Sequence, residues 1–245
     1  MQFSEQRLRA LVNPAVDTAT LAHQLTMAGL EVDAIVPVAP AFNGVVIGEI
    51  LSAEQHPNAD KLRVTLVNIG AEQPLQIVCG AANARPGIRI PVATVGAVLP
   101  GDFRIKDAKL RGVDSFGMLC AEQELGLAEA SDGLWELPAD APIGQDIRQY
   151  LQLDDNLIEL GLTPNRGDCL SIRGLAREAA AVFGLDHQTA AIPAVPATNE
   201  RRIPVSVETA AACPRYVSRV IDGIDNDKAS PLWLIEALRR SGVRS

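Results

Sequence analysis

Residues 56–64, His-Pro-Asn-Ala-Asp-Lys-Leu-Arg-Val, join two runs that alternate apolar and polar residues, "GVVIGEILSA" before them and "KLRVTLVNIG" after. Pro57 fixes its own φ and drives His56 into an extended conformation, which ends the first run. Asn58 and Asp60 hydrogen-bond their own backbone and tolerate turn dihedrals, so the chain reverses here. A β-hairpin is the local reading, and His56 with Asp60 read as turn residues rather than a metal pair. Lys61 and Arg63 open the second run, where they share one face while Leu62, Val64 and Leu66 take the other.

Outward from this hairpin, residues 40–150 continue in the same texture. "LQIVCG", "RIPVATV", "FRIKDAKLRG" and "FGMLCA" are short strand-like runs, and "AEQELGL" reads as a brief helix. Glycines at 44, 48, 70, 80, 87, 96, 101, 112 and 117 punctuate them at turn-like intervals. Several short strands with frequent turns predict a small β-barrel or sandwich.

The flanks differ. Ser4 caps a first helical pattern with Leu8 and Leu11 on one face, and Asn13-Pro14 stops it. Asp17 or Thr18 caps a second, carrying Leu21, Leu25 and Ala28 and ending at Gly29. "LEVDAIVPV" then alternates as a strand. Beyond residue 150, "NLIELGLTP" is a strand and "SIRGLAREAAAVFGL" a helix capped by Asp168 or Ser171. Neither flank can bury a core alone. The economical arrangement folds 1–39 and 151–190 together as a split α/β domain, with 40–150 inserted between them. Residues 191–200, rich in Ala, Pro and Thr, read as a linker. Residues 201–245 offer "IPVSVETAAACPRYVSRVIDGI" and a helix from "SPLWLIEALRRSG", capped by Ser230 with Pro231 at its first position, the opening of a further domain. The expected class is α+β and multidomain.

Composition narrows the chemistry. Apolar residues make up 47% of the 245 positions and charged ones 21%, an ordinary globular profile, and the formal net charge is −8. A basic coat is excluded, so any nucleic-acid contact must be a local patch. No apolar run nears membrane-spanning length, and the charged N-terminus lacks a signal peptide's apolar core, which predicts a cytoplasmic protein. Cys79, Cys120, Cys169 and Cys213 are far apart without a C-x-x-C, and read as buried free thiols. Neither G-x-G-x-x-G nor G-x-x-x-x-G-K-[ST] occurs, His23, His56 and His187 fall in three different textures, and no carboxylate pair suggests acid–base work. The chain alone is expected to be non-catalytic and to bind no cofactor or metal.

Basic residues of the middle segment carry the remaining signal. Residues 40–150 hold nine Lys or Arg against fourteen Asp or Glu, yet Arg104, Lys106, Lys109 and Arg111 fall close together. Arg104 and Lys106 share a strand face, and a turn at Asp107–Ala108 would bring Lys109 and Arg111 beside them. A barrel face bordered by loops is how oligonucleotide-binding folds meet their ligands; a solvated strand face with scattered ion pairs is the competing reading. Phe42, Phe103, Phe116 and Trp135 are the few aromatics available for stacking, which points to recognition of backbone and shape.

"HPNADKLRV", "IVCGAANARPGIRIPVATVGAVLPGDFRIKDAKLRG" and "GMLCAEQELGL" resemble the tRNA-binding oligonucleotide-barrel (OB-fold) domain of synthetase-associated proteins. With the flanks "FSEQRLRALVNP", "TMAGLEVD" and "TPNRGDCLSIRGLARE", the whole chain is similar to the N-terminal part of the bacterial phenylalanyl-tRNA synthetase β-subunit family. "CPRYVSRVI" and "PLWLIEALRRSGVRS" resemble the beginning of its editing domain of the B3/B4 type, assigned to 201–245. The resemblance implies a class II ligase built as an (αβ)₂ tetramer with an α subunit, acting on tRNA(Phe) with ATP and Mg²⁺. Neither DNA nor a membrane is an expected partner. Asn83 and Met118 in the matched stretches, and Ser115 between two of them, join the basic residues as candidate tRNA contacts, and Arg244 matches the edge of the editing site. "SFGMLCA" departs from the related S-x-G-M-x-x-S by placing Ala121 at the last hydroxyl. A free-standing tRNA-binding chaperone and a protein-interaction barrel are the alternatives; the first has no use for the flanks.

Overall fold

A computed structural model describes residues 1–189 and 191–244, so the expected boundary at residue 190 lies outside the described residues. Strand β1 (Gln2–Ser4) leads into α1 (Glu5–Arg9), followed by α2 (Thr18–Met27) and β2 (Glu31–Pro37). Then come β3 (Asn43–Gln55), β4 (Arg63–Asn68), β5 (Leu75–Cys79), β6 (Arg89–Leu99), β7 (Phe103–Arg104), β8 (Ala108–Leu110), β9 (Val113–Ser115) and β10 (Met118–Leu119). Helix α3 (Ile147–Tyr150), β11 (Asn156–Gly161), a 3-10 turn (Pro164–Cys169), α4 (Ile172–Phe183) and α5 (Leu232–Arg239) complete the chain.

Local capping chemistry sets the helices. Ser4 Oγ accepts the Arg7 N–H at 3.2 Å and donates to Asp155 Oδ2 at 2.5 Å, tying the start of α1 to the segment before β11. Asp17 accepts the Thr20 N–H at 2.8 Å, and Ser171 accepts the Gly174 N–H at 3.1 Å. Gly184 ends α4 in the left-handed conformation that a Cβ disfavours. The last helix departs from expectation: it begins at Leu232 with Pro231 as its N-cap, and no side chain caps it.

β11 is the centre of a three-stranded antiparallel sheet in the order β1–β11–β2, so the segments on both sides of residues 40–150 supply its strands. Against it Leu8, Leu21, Leu25 and Leu30 pack with Ile158, Leu160, Leu175 and Ala179. Each fully buried side chain of this kind contributes roughly 1.5–3 kcal/mol.

The second sheet runs β10–β6–β3–β4–β5, with β7 also on β6. Strand β3 pairs with β6 through Glu49 and with β4 from Glu49 onward, bending between them with a register shift at Ile50–Ser52. Gly48, just before that shift and opposite Ile90, must be glycine because a Cβ there would lie 2.6 Å from Val92 Cγ2 and 2.9 Å from Val67 Cγ1. Two apolar clusters fill the sheet's interior, one around Ile50, Ile77 and Ile90, the other around Ile47, Leu125 and Ile147.

The sheet is not a closed barrel, contrary to the sequence expectation. Its edge strands β5 and β10 do not pair; the two residues of β10 pair with β6 on their other side, and the β8–β9 hairpin lies at the seam. The Phe116 N–H bonded to Gln76 O at 2.9 Å and the Val78 N–H bonded to Ser115 Oγ at 3.0 Å bridge it instead. "AEQELGL" is a series of tight turns rather than a helix: Glu122 O accepts both the Leu125 and the Leu127 N–H, and Glu124 turns back to the Ala121 N–H. The strand expected from "IPVSV" does not form among the described residues. Ile203, Val205 and Val207 alternate as expected but lie exposed, because no other strand lies beside them. Cys213, in the same stretch, is exposed while the other three cysteines are buried. Burial pushes the Cys120 thiol up to about 12.

Candidate nucleic-acid interface

The reversal in the basic stretch occurs at Arg111–Gly112, not at Asp107–Ala108. Leu110 pairs with Val113 across a two-residue loop, and both loop residues have positive φ, 45° at Arg111 and 92° at Gly112. Primed hairpin turns need this, because their twist matches that of the strands. Glycine adopts it freely, whereas an L side chain at positive φ costs roughly 1–2 kcal/mol. Lys109, Arg111 and Lys61 all point to solvent around this tip.

The hairpin is held from both sides. His56 is buried, 3% exposed, with both ring nitrogens engaged. Nδ1 accepts the Asn58 N–H at 3.0 Å, so the ring proton is on Nε2, which donates to Leu110 O at 3.1 Å. The Asn58 side-chain amide donates to Arg111 O at 3.2 Å. From β5, the Gln76 side-chain amide donates to Asp114 O at 2.8 Å. The turn of residues 57–62 and the hairpin tip therefore form one rim.

The remaining sequence candidates separate into free and occupied groups. Lys61 lies in the turn ahead of β4 and Arg63 at its first position, so the two do not share a strand face as expected. Arg63 Nη1 donates to Ala84 O at 2.9 Å, half-buried. Arg104 and Lys106 are exposed on either side of buried Ile105, which is bonded to Ala97 on β6. Ser115 Oγ accepts from Val78 and donates to Gly117 O, both inside the fold. Asn83 acts as a peptide mimic, giving its amide to Leu134 O and Glu136 and accepting the Leu134 N–H. Met118 is half-buried against the core, and Arg244 is exposed past α5. Ala121 is buried, with its N–H donated to Glu124 Oε2 at 2.6 Å.

Among the aromatics, Phe103 (57% exposed) and Phe116 (44%) present ring surface. Phe42 is buried beneath the Arg148 guanidinium, 4.7 Å from the ring centroid, and Trp135 packs on the core. Lys109 meets Asp114 at 3.4 Å in an exposed pair; Lys61, Arg104, Lys106 and Arg111 meet no carboxylate among the described residues. The arrangement offers exposed cations and two exposed apolar rings, a surface suited to a phosphate backbone with unpaired bases. Sequence reasoning saw His56 and Asn58 as turn formers and missed their reach to the hairpin. The available signal was a histidine and an asparagine, each with more hydrogen-bonding groups than a turn uses.

Asp168, Cys169 and Glu178 are close enough to suggest a metal site. Arg166 already fills the place of a cation there, 3.3 Å from Asp168 and 2.9 Å from Glu178, and it holds the Asp168 carboxyl below its ordinary value. Magnesium, which demands a regular octahedron of oxygens, does not fit beside a guanidinium and a thiol.

Residues 45–146 match the family model of a putative tRNA binding domain, which contains the whole basic rim. Over its full length the chain is 59% identical to the phenylalanine–tRNA ligase beta subunit of Pseudoalteromonas translucida and 60% identical to that of Pseudomonas putida, in each case covering 31% of the relative. A MetRS related protein from Pyrococcus horikoshii aligns over 42% of this chain and 87% of its own, at 25% identity and a TM-score of 0.32. The chain thus contains a segment that matches a putative tRNA binding domain and is similar over its whole length to phenylalanine–tRNA ligase beta subunits, of which it spans about a third.

Proposed function

We propose that this chain is the tRNA-contacting and supporting portion of a phenylalanine–tRNA ligase β subunit. The observation that carries the reading is the rim of Lys61, Lys109 and Arg111, exposed cations inside the segment that matches the tRNA-binding family. Arg104 and Lys106 extend it along the chain toward Phe103. Asn83, Ser115, Met118 and Arg63 support the rim by fixing loops and strands.

Under this proposal residues 40–150 are an oligonucleotide-binding fold of the open type, inserted into a split α/β domain of 1–39 and 151–190. The shared sheet β1–β11–β2 supports that division. Residues 191–200 serve as a linker and 201–245 begin an editing domain, with Arg244 at its edge. The partners are an α subunit, in an (αβ)₂ assembly, and tRNA(Phe), in the cytoplasm. ATP and Mg²⁺ belong to the synthetic site of the holoenzyme; the Arg166 cluster takes no part in holding them. No helix of the described residues is long and apolar enough to cross a membrane.

Two measurements on the purified chain test the proposal. It should bind a tRNA(Phe) transcript with an affinity that falls steeply as salt rises, since phosphate contacts release counterions. It should show no ATP–pyrophosphate exchange with phenylalanine. Salt-independent binding of tRNA, or exchange activity, would refute the respective half.

A further inference from the structure

We infer that His56 and Asn58 are positioning residues, which lock the strained Arg111 tip in place for RNA contact through His56 Nε2–H to Leu110 O and Asn58 Nδ2–H to Arg111 O. This rests on the reading that the rim meets tRNA. A plain turn would leave Asn58 bonded within its own loop. Here its side chain crosses to the carbonyl of the one hairpin residue that sits at positive φ without being glycine. A histidine ring is also a costly choice for burial unless both nitrogens are satisfied, and the second is satisfied only by the hairpin.

The hairpin needs such support. Strands β8 and β9 pair over three residues each, and Ala108, Lys109 and Leu110 are all exposed. Two short strands alone are marginal in water. Ser115 and Gln76 fasten β9 to β5, but the carbonyls of Leu110 and Arg111 take their cross-loop bonds from His56 and Asn58. Asn or Gly would relax the first loop position. An arginine kept there under strain, with a neighbouring loop built to hold it, marks the side chain as the useful part. Fixing it beforehand removes an ordering cost from binding.

The test uses the full 245-residue chain. His56→Phe keeps an aromatic ring in the same space and removes both nitrogens; Asn58→Ala removes an exposed side chain whose loss does not endanger folding. Amide exchange of residues 108–115 and the salt dependence of tRNA(Phe) transcript binding are measured for each. Hairpin amides should exchange at least ten times faster, and the log–log salt slope should flatten by about one unit. His56→Phe should have no further effect on binding once Lys109→Ala and Arg111→Ala are present. Parental hairpin protection in both variants overturns the clamp. An equal loss of affinity with and without the Lys109 and Arg111 side chains shows general destabilisation and overturns the positioning role. A parent chain without salt-dependent binding overturns the proposed function, and is recognised because the loss of hairpin protection is still seen.

Discussion

The α/β region built from the two flanks and the basic rim of the second sheet differ in how their cations are matched. In the first, Arg9 meets Glu5 at 2.8 Å and Arg166 meets Asp168 and Glu178, while Arg173 and Arg177 on α4 are exposed and meet no carboxylate among the described residues. In the second, Arg104, Lys106, Arg111 and Lys61 meet no carboxylate among the described residues, although the surrounding segment is acidic by count. Under the proposed function it is free charge, not the sum of charges, that offers a polyanion a place to settle. A guanidinium already bonded to a carboxylate must break that pair to meet a phosphate.

Reversal of the rim should have the largest effect. Lys106→Glu, Lys109→Glu and Arg111→Glu together should lower tRNA(Phe) affinity by at least about 100-fold at low salt, with the slope flattened by roughly one unit per lost contact. Circular dichroism should stay parental, because exposed charge changes usually shift stability by less than about 0.5 kcal/mol each. A folded triple variant with parental binding would move the RNA contact elsewhere and end the comparison.

Leu8→Ala attacks the other region. Leu8 is fully buried, and its truncation should cost about 2–5 kcal/mol in denaturant unfolding while leaving the salt slope of the folded protein unchanged. A changed slope would show that the two regions are mechanically coupled.

Glu5 gives a pH test in the same core. Burial works against its carboxylate, but hydrogen bonds from Asn156, Arg9 and Thr18 outweigh that, and its pKa is lowered from 4.5. A folded-state pKa below the unfolded one means stability that is present above about 4.5 and lost as pH falls through the lower value. Glu5→Gln should therefore be less stable by about 1–3 kcal/mol at neutral pH, and the gap should narrow as pH falls below 4.5. A gap that persists in acid would assign the loss to amide packing rather than charge.

The smallest effect belongs to Arg166. Because its charge is already matched, Arg166→Gln should leave the salt slope of tRNA binding within error of the parent. A flattened slope would mean that the matched arginines also contact RNA.

Much of the local structure was legible in the chain. Ser4, Asp17 and Ser171 cap the helices they precede, and period-two runs became β2, β3, β4, β5, β6 and β11. Capping and alternation act over a few residues, so sequence order displays them. The same logic failed for "IPVSV", which has the right pattern but no strand to bond, and for "AEQELGL", where tight turns and the Glu124 contact replace a helix. Pairing is not a property of one segment.

That residues 56–64 turn, that basic residues gather between 104 and 111, and that neither flank has a core of its own are all legible in the order of the residues. Which of those groups remain free depends on the fold. Arg63, Asn83 and Ser115 are occupied by Ala84, by Leu134 with Glu136, and by Val78 with Gly117, while Lys61 and Arg111 stay in water. His56 finds Leu110 across 54 positions, and Asn83 finds Leu134 across 51. A hydrogen bond depends on ångström-scale separation and direction, and sequence distance carries neither until the chain has folded.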